Sequence, residues 1–396
     1  MLFSSDLLGN LCVIKELLIN IIVCNTAIVY LYTLTERMNK SIIVILLLLV
    51  QLSFLAQDDD KTPKYSNEFL NIGVGARALG MSNSVIASTD DVTSGYWNPT
   101  GLLNIDSDLQ IGLMHSEYFA GIAKYDYGAI AKKIDDKSAM AFSFIRFGVD
   151  NIPNTTELID AQGNIDYDRI TYFSAADMAF IFSYARKIND KLDLGGSGKI
   201  IHRKVGDFAK SWGFGIDFAA TYQLGNWKVA ALTRDITTTF NAWSFSLTDQ
   251  MIEVFDRTDN DIPENGLEIT MPRIILAGMR QWKIGKSFTY LAELDADLTT
   301  DGKRNVLIVG DPISIDPHFG MELGFKNIVF VRAGLGNLQK VTEITGKEVM
   351  TLQPNIGVGV KLKGISLDYA LTDIGDASVA LYSNVFSLRF NLNKNN

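Results

Sequence analysis

Two glycine-rich runs carry the spacing of phosphate-binding loops. Gly73-Val74-Gly75-Ala76-Arg77-Ala78 fits the dinucleotide fingerprint G-x-G-x-x-G/A and follows a short apolar run. The βαβ unit that would give it meaning is missing, because the chain continues through Asn98-Pro99 into antiparallel strand patterns. Gly195-Gly196-Ser197-Gly198-Lys199 suggests a nucleotide phosphate loop, but Asp193 and Ile200 occupy two required positions, so strand glycines beside a lumen explain it better. His115, His202 and His318 stand singly without metal-ligand spacing, and no Gly-x-Ser-x-Gly elbow is present. The acidic pairs within Asp58–Asp60 and at Asp90-Asp91 read as solvated carboxylates rather than acid/base partners. Glu293, Asp295 and Asp297 form a ladder at a spacing of two, read as a hydrated lumen wall rather than an ion site. No catalytic residue, cofactor or metal is expected, and the chain does not read as an enzyme.

The elements that would position these residues are strands. From Ser287 to Thr299, Phe288, Tyr290, Ala292, Leu294, Ala296 and Leu298 share one face, while Thr289, Glu293, Asp295, Asp297 and Thr299 share the other. Fourteen such segments are expected, near 108–115, 122–133, 138–147, 177–188, 192–204, 212–224, 227–235, 270–282, 286–298, 316–326, 328–336, 352–362, 364–372 and 382–392. Most approach the length of ~9 to 11 residues that a tilted strand needs to cross hydrocarbon. Connections after the even-numbered segments are compact turns, such as Gly225-Asn226 and Lys363-Gly364, whereas 148–176, 236–269, 299–315 and 337–351 are long. Short turns at one end and long loops at the other predict an all-β transmembrane antiparallel barrel, with both termini on the periplasmic side. Arg234, Arg280 and Arg332 interrupt the alternation, and the pattern does not assign them to a face.

Charge and the amino terminus agree with export. The 396 residues carry 36 basic and 45 acidic side chains, a net charge of −9 that argues against nucleic acid as a partner. Both cysteines, Cys12 and Cys24, precede Met38. Met38-Asn39-Lys40-Ser41, the apolar run Ile42 to Val50, the small residue Ala56 and Asp58–Asp60 together read as a cleaved signal peptide over 38–56. Residues 1–37 read as an upstream extension of the gene, residues 57–107 as an amino-terminal hatch or plug, and 108–396 as the barrel, which places outer-membrane lipid among its partners.

Residues 68–103 have another grammar. Small residues at Gly73, Gly75, Ala76, Ala78 and Gly80 permit close backbone packing, and Asn98-Pro99-Thr100-Gly101 is a turn with a fixed φ at its proline. This compact, weakly helical segment fits inside or beneath a barrel. The run Phe69-Leu70-x-Ile72-Gly73-x-Gly75-Ala76-Arg77-Ala78-x-Gly80-Met81, with Asp90-Asp91 and Trp97-Asn98-Pro99, resembles the PorV/PorQ family of Bacteroidetes outer-membrane proteins. That family is itself similar to the FadL long-chain fatty acid transporters. Thr100 stands where the family usually has alanine.

The resemblance implies a fourteen-stranded FadL-like barrel with an amino-terminal hatch and a role in type IX secretion. The barrel would dock on translocon or attachment-complex proteins and hand over secreted cargo. Loops 148–176 and 236–269 are then the expected partner contacts, with Phe240, Trp243 and Phe245 as apolar anchors. Two other readings follow from the same residues. One is a FadL-like channel for uptake of hydrophobic small molecules; the other is a soluble secreted β-sandwich.

Overall fold

The computed structural model describes residues 66–158, 164–342, 346–372, 374 and 382–393. The expected upstream extension, the signal peptide and the first part of the hatch lie outside them.

Among the described residues sixteen antiparallel strands form one sheet: β1 (Leu109–Tyr118), β2 (Ala123–Asp135), β3 (Ser138–Asn154), β4 (Thr171–Lys187), β5 (Leu192–Val205), β6 (Ala209–Leu224), β7 (Trp227–Arg234), β8 (Thr239–Phe245), β9 (Gly266–Thr270), β10 (Arg273–Ile284), β11 (Phe288–Thr299), β12 (Ser314–Phe325), β13 (Val329–Thr342), β14 (Glu348–Leu362), β15 (Ile365–Thr372) and β16 (Ser383–Leu392). Fourteen of them, β1–β7 and β10–β16, close the ring: β10 pairs with β7, and β16 returns to β1 over Leu109↔Leu392 to Glu117↔Asn384. Closure removes every free edge from the wall, which is what lets strands sit in hydrocarbon at all.

The two faces are chemically inverted relative to a soluble barrel. Leu294, Val331, Ile356, Val358, Leu367 and Phe386 point away from the lumen and are half-exposed or more. A soluble monomer rarely shows so continuous an apolar surface; a bilayer-spanning wall requires it. Arg280 also faces outward, 5.6 Å from the Trp227 ring centroid and 5.2 Å from that of Trp282, as an interface anchor near the short-turn end. Arg234 and Arg332 face inward and are buried. Side chains alternate strictly, so these assignments follow from register rather than from polarity.

The expected long connection 236–269 contains structure that the sequence pattern does not reveal. β8 continues the pairing of β7 along β6: Phe218 pairs with Thr233 and Phe214 with Phe240. Three residues of β6 between these pairs thus face six of the partner, three more than regular pairing needs. Asp235 and Thr238, both at positive φ, take up the excess. β9 then pairs with β8 beyond Met271-Pro272, building a β-ribbon above the barrel rim, and α3 (Asp249–Arg257) lies between the two strands in sequence.

The expected position of the mature amino terminus lies outside the described residues. The described chain begins at the long-loop end, where Asn241 donates to Ser66 at 3.2 Å, Asn67 to Thr270 at 2.8 Å, and Arg304 lies 3.7 Å from Glu68. From there it crosses the lumen and enters β1 at the short-turn end, where Leu109 pairs with Leu392 of the last strand.

Candidate functional site

Residues 66–107 fill the lumen. Their short helices α1 (Ala76–Leu79) and α2 (Ser94–Trp97) and a 3-10 turn at Pro99–Asn104 pack against inward side chains of the wall. Val74, Ala76, Met81, Ile86, Leu102 and Ile105 are almost wholly inaccessible, so the hydrophobic core of this molecule lies inside the barrel. The residues singled out from sequence each hold that packing. Gly73 and Gly75 turn the chain at φ 98° and 88°, a region that favours glycine. Gly80 lies against β14 so closely that a Cβ there would meet Gly357 Cα at 3.0 Å. Trp97 donates from Nε1 to the Val74 carbonyl at 2.8 Å, and Asn98 donates to the Ile86 carbonyl at 2.7 Å and to Thr221 Oγ1 at 3.1 Å. Pro99 opens the 3-10 turn and sits where Gly195 of β5 has no side chain, which accounts for one glycine of the phosphate-loop-like run.

Ion pairs fix the underside. Arg77 reaches Glu322 of β12 at 3.0 and 3.3 Å and Asp90 at 3.2 Å, while Arg332 of β13 bridges Glu322 and Asp368, each at 2.6 Å. Asp91 pairs with Arg389 of β16 and accepts from the Thr93 N–H at 2.8 Å. Burial alone would push the Asp91 carboxyl up, but the Arg389 and Arg77 guanidiniums hold it below the usual carboxylate range. Asp90 is largely exposed, as the sequence suggested; Asp91 is not. On the opposite wall Arg234 lies 4.5 Å from the Tyr96 ring centroid and 5.6 Å from that of Trp97, and donates to the carbonyls of Leu70 and Tyr96.

The acidic ladder is not a hydrated wall. Glu293 and Asp295 are each 1 % exposed because the segment lies directly on them. The Ala87 N–H donates to Glu293 Oε1 at 2.5 Å, the Ile86 N–H to Asp295 Oδ2 at 3.1 Å, and Ser84 Oγ to the Glu293 carbonyl at 3.1 Å. Asp297 pairs with Arg273 at 3.2 Å. Alternation correctly put these carboxylates inside; it could not show that chain, rather than water, occupies the inside.

Two cavities lie either side of the segment. At the long-loop end a cavity of about 510 Å³ is bounded by Phe69, Ile72, Phe119 and Phe147 on one side and by Asp316, His318 and Asn337 on another. At the short-turn end only about 120 Å³ is open, among Arg77, Asp106, Glu322, Arg332, Lys361 and Arg389. The segment and its ion pairs separate the two. A third space, about 530 Å³, opens above the rim between β8, β9 and α3.

That third space contains two of the three residues expected to anchor a partner. Trp243 and Phe245 stack at 6.0 Å and line it with Phe208, Leu247 and Phe255, while Trp243 Nε1 donates to Glu268 at 2.6 Å and Arg203 lies 5.0 Å from its ring centroid. Phe240 instead faces outward from β8, paired beside Phe214. Sequence reasoning missed Glu322, Arg389 and Asp316, whose roles depend on contacts across hundreds of residues. It named Lys199 only within the phosphate-loop-like run and missed its role, which is to bridge Asp217 at 2.8 Å and Asp235 at 2.6 Å at the β7–β8 break. Inward parity plus charge was the available signal for each of these four.

No protein-family model and no curated protein matches this sequence. Among solved structures it is similar to the CymD monoaromatic hydrocarbon channel, at 12% identity over 81% of this chain and 98% of that one, with a TM-score of 0.50. It is also similar to the toluene transporters TbuX of Ralstonia pickettii (12% identity, 81% and 98% covered, TM-score 0.49) and TodX of P. putida (11%, 82% and 99%, 0.49). At such identity the likeness to CymD concerns the fold alone: this chain has the fourteen-stranded, FadL-like architecture of an outer-membrane β-barrel.

Proposed function

We propose that this protein is a non-enzymatic outer-membrane channel that admits hydrophobic small molecules, with the lumenal segment as its hatch. The observation that carries this reading is the 510 Å³ cavity, half walled by aromatic and aliphatic side chains and closed beneath by a segment pinned through ion pairs. A solute enters from the long-loop side, where the Trp243–Phe245 pocket offers a first apolar contact, and rests above the hatch. Passage to the periplasm requires the segment to shift, because the space below it is small and lined with charge. Similarity in fold to the CymD monoaromatic hydrocarbon channel supports the same assignment.

The type IX secretion reading has less behind it. Apart from the exposed Asp90, the residues that carry the PorV/PorQ resemblance are buried or half-buried in lumenal packing, so they account for a hatch and not for a docking surface. Trp243 and Phe245 line a pocket rather than projecting as anchors. The deciding experiment compares a deletion strain with its parent for uptake of labelled toluene and for the content of the secretome. Lost uptake with unchanged secretion is expected; unchanged uptake with altered secretion would reverse the assignment.

A further inference from the structure

The lumenal cavity is two-sided. Phe69, Ile72, Phe119 and Phe147 give it an apolar wall, while the facing strands β12 and β13 present Asp316, His318 and Asn337. Asp316 Oδ2 lies 3.5 Å from His318 Nε2, and Asp316 Oδ1 has no hydrogen-bond donor among the described residues. Asn337 donates to Gln353 at 3.0 Å and accepts from Gln339 at 2.5 Å, which leaves part of its amide capacity for a solute. No lysine or arginine is among the described residues that line the cavity. Arg273 is held by Asp297 at 3.2 Å and by Asn71 at 2.7 Å rather than by Asp316.

We infer that the cavity selects an aromatic amphiphile carrying a hydroxyl or amine donor, over a bare hydrocarbon or a carboxylate. This rests on the channel reading and names its substrate class. The aromatic face of such a solute lies on Phe69, Phe119 and Phe147, and its donor reaches the Asp316 carboxylate. A carboxylate solute would meet the Asp316 carboxylate on a lining that carries no lysine or arginine among the described residues. A hydrocarbon would displace water from the Asp316, His318 and Asn337 wall and return no hydrogen bond, which is the circumstance in which a polar site rejects an analogue most strongly.

The test uses the full-length protein in detergent and equilibrium dialysis of three labelled probes of one shape: 4-methylphenol, toluene and 4-methylbenzoate, with protein-free micelles as the blank. The phenol should bind at least tenfold more tightly than the benzoate and several-fold more tightly than toluene. Asp316→Asn should reduce the phenol's lead over toluene to less than twofold and leave toluene unchanged. Because that variant could fail to fold, 4-methylbenzylamine is measured on the unaltered protein, where it should match or exceed the phenol. Benzoate binding as tight as the phenol, or toluene equal to both donor probes, overturns the substrate class and leaves the channel reading intact. No binding of any probe by protein that still shows heat-modifiable migration overturns both.

Discussion

Replacing Arg77 with methionine keeps the aliphatic stem and removes the guanidinium that ties the lumenal segment to β12. Breaking a buried ion pair from one side typically costs about 3–5 kcal/mol, because the remaining charge is stranded. Glu322 is not stranded here, since Arg332 remains at 2.6 Å, and Asp90 is already largely in solvent. We therefore place the loss at about 2–3 kcal/mol of segment attachment, at or just below the low end of that range. At about 1.4 kcal/mol per factor of ten, the released state should rise roughly 30- to 150-fold. Amide hydrogen exchange over residues 76–92 in lipid nanodiscs reads that change directly, and single-channel conductance should rise with it. Glu322→Gln gives the internal control: it weakens the partner shared by Arg77 and Arg332 and should loosen the segment more than Arg77→Met. Unchanged exchange in a folded Arg77→Met barrel would refute the latch. So would an effect of Glu322→Gln smaller than that of Arg77→Met, because the shared carboxylate would then not be the centre of the network.

Three further outcomes follow from the same geometry. Gly80→Val drives a side chain into the β14 backbone at Gly357 and should lower the yield of heat-modifiable barrel, an overpacking loss of about 1–3 kcal/mol that a paired change at Gly357 cannot relieve because no smaller residue exists. Trp243→Ala should raise the solute concentration for half-maximal uptake several-fold without changing maximal uptake or barrel yield, as expected of a first contact outside the membrane; a loss of maximal uptake would place Trp243 elsewhere on the route. The Asp91 carboxyl, held below its ordinary value of 3.8, favours attachment at pH above that value and loses its contribution as pH falls through the lowered one. Exchange of the segment should accordingly accelerate only in strong acid, and Asp91→Asn should show the accelerated rate at neutral pH.

The barrel was legible because strand alternation and loop length are local properties. All fourteen wall strands answer to segments read from sequence, and the parity of short turns and long loops gave their direction. The β7–β8 break escaped because a three-residue excess between two short strands resembles a loop when only one partner is in view. Asp235 at positive φ, and Lys199 reaching it from β5, are intelligible only once β6 lies between them. The segment's glycines were visible as small residues, yet the reason for Gly80 is Gly357, 277 positions later. The acidic ladder shows the same limit from the other side. Period two places Glu293 and Asp295 inward, and nothing local to β11 announces the Ile86 and Ala87 amides that meet them.

That distinction bears on function. A wall that is apolar outside and charged inside would be expected to enclose water, and an open pore would need no further part. Here the inward charges are largely consumed by the segment: Glu322 by Arg77, Arg389 by Asp91, Glu293 and Asp295 by backbone amides. Two buried acidic side chains that each accept a single backbone N–H form a stable arrangement only while those donors stay in place. Moving the segment therefore exposes Glu293 and Asp295 to whatever enters, and water must follow. The solute is best released into a lumen that wets as the hatch withdraws, which favours a molecule with a polar group over one that water would reject. The amphiphile selected at the cavity above is thus also the class that such an exit can release.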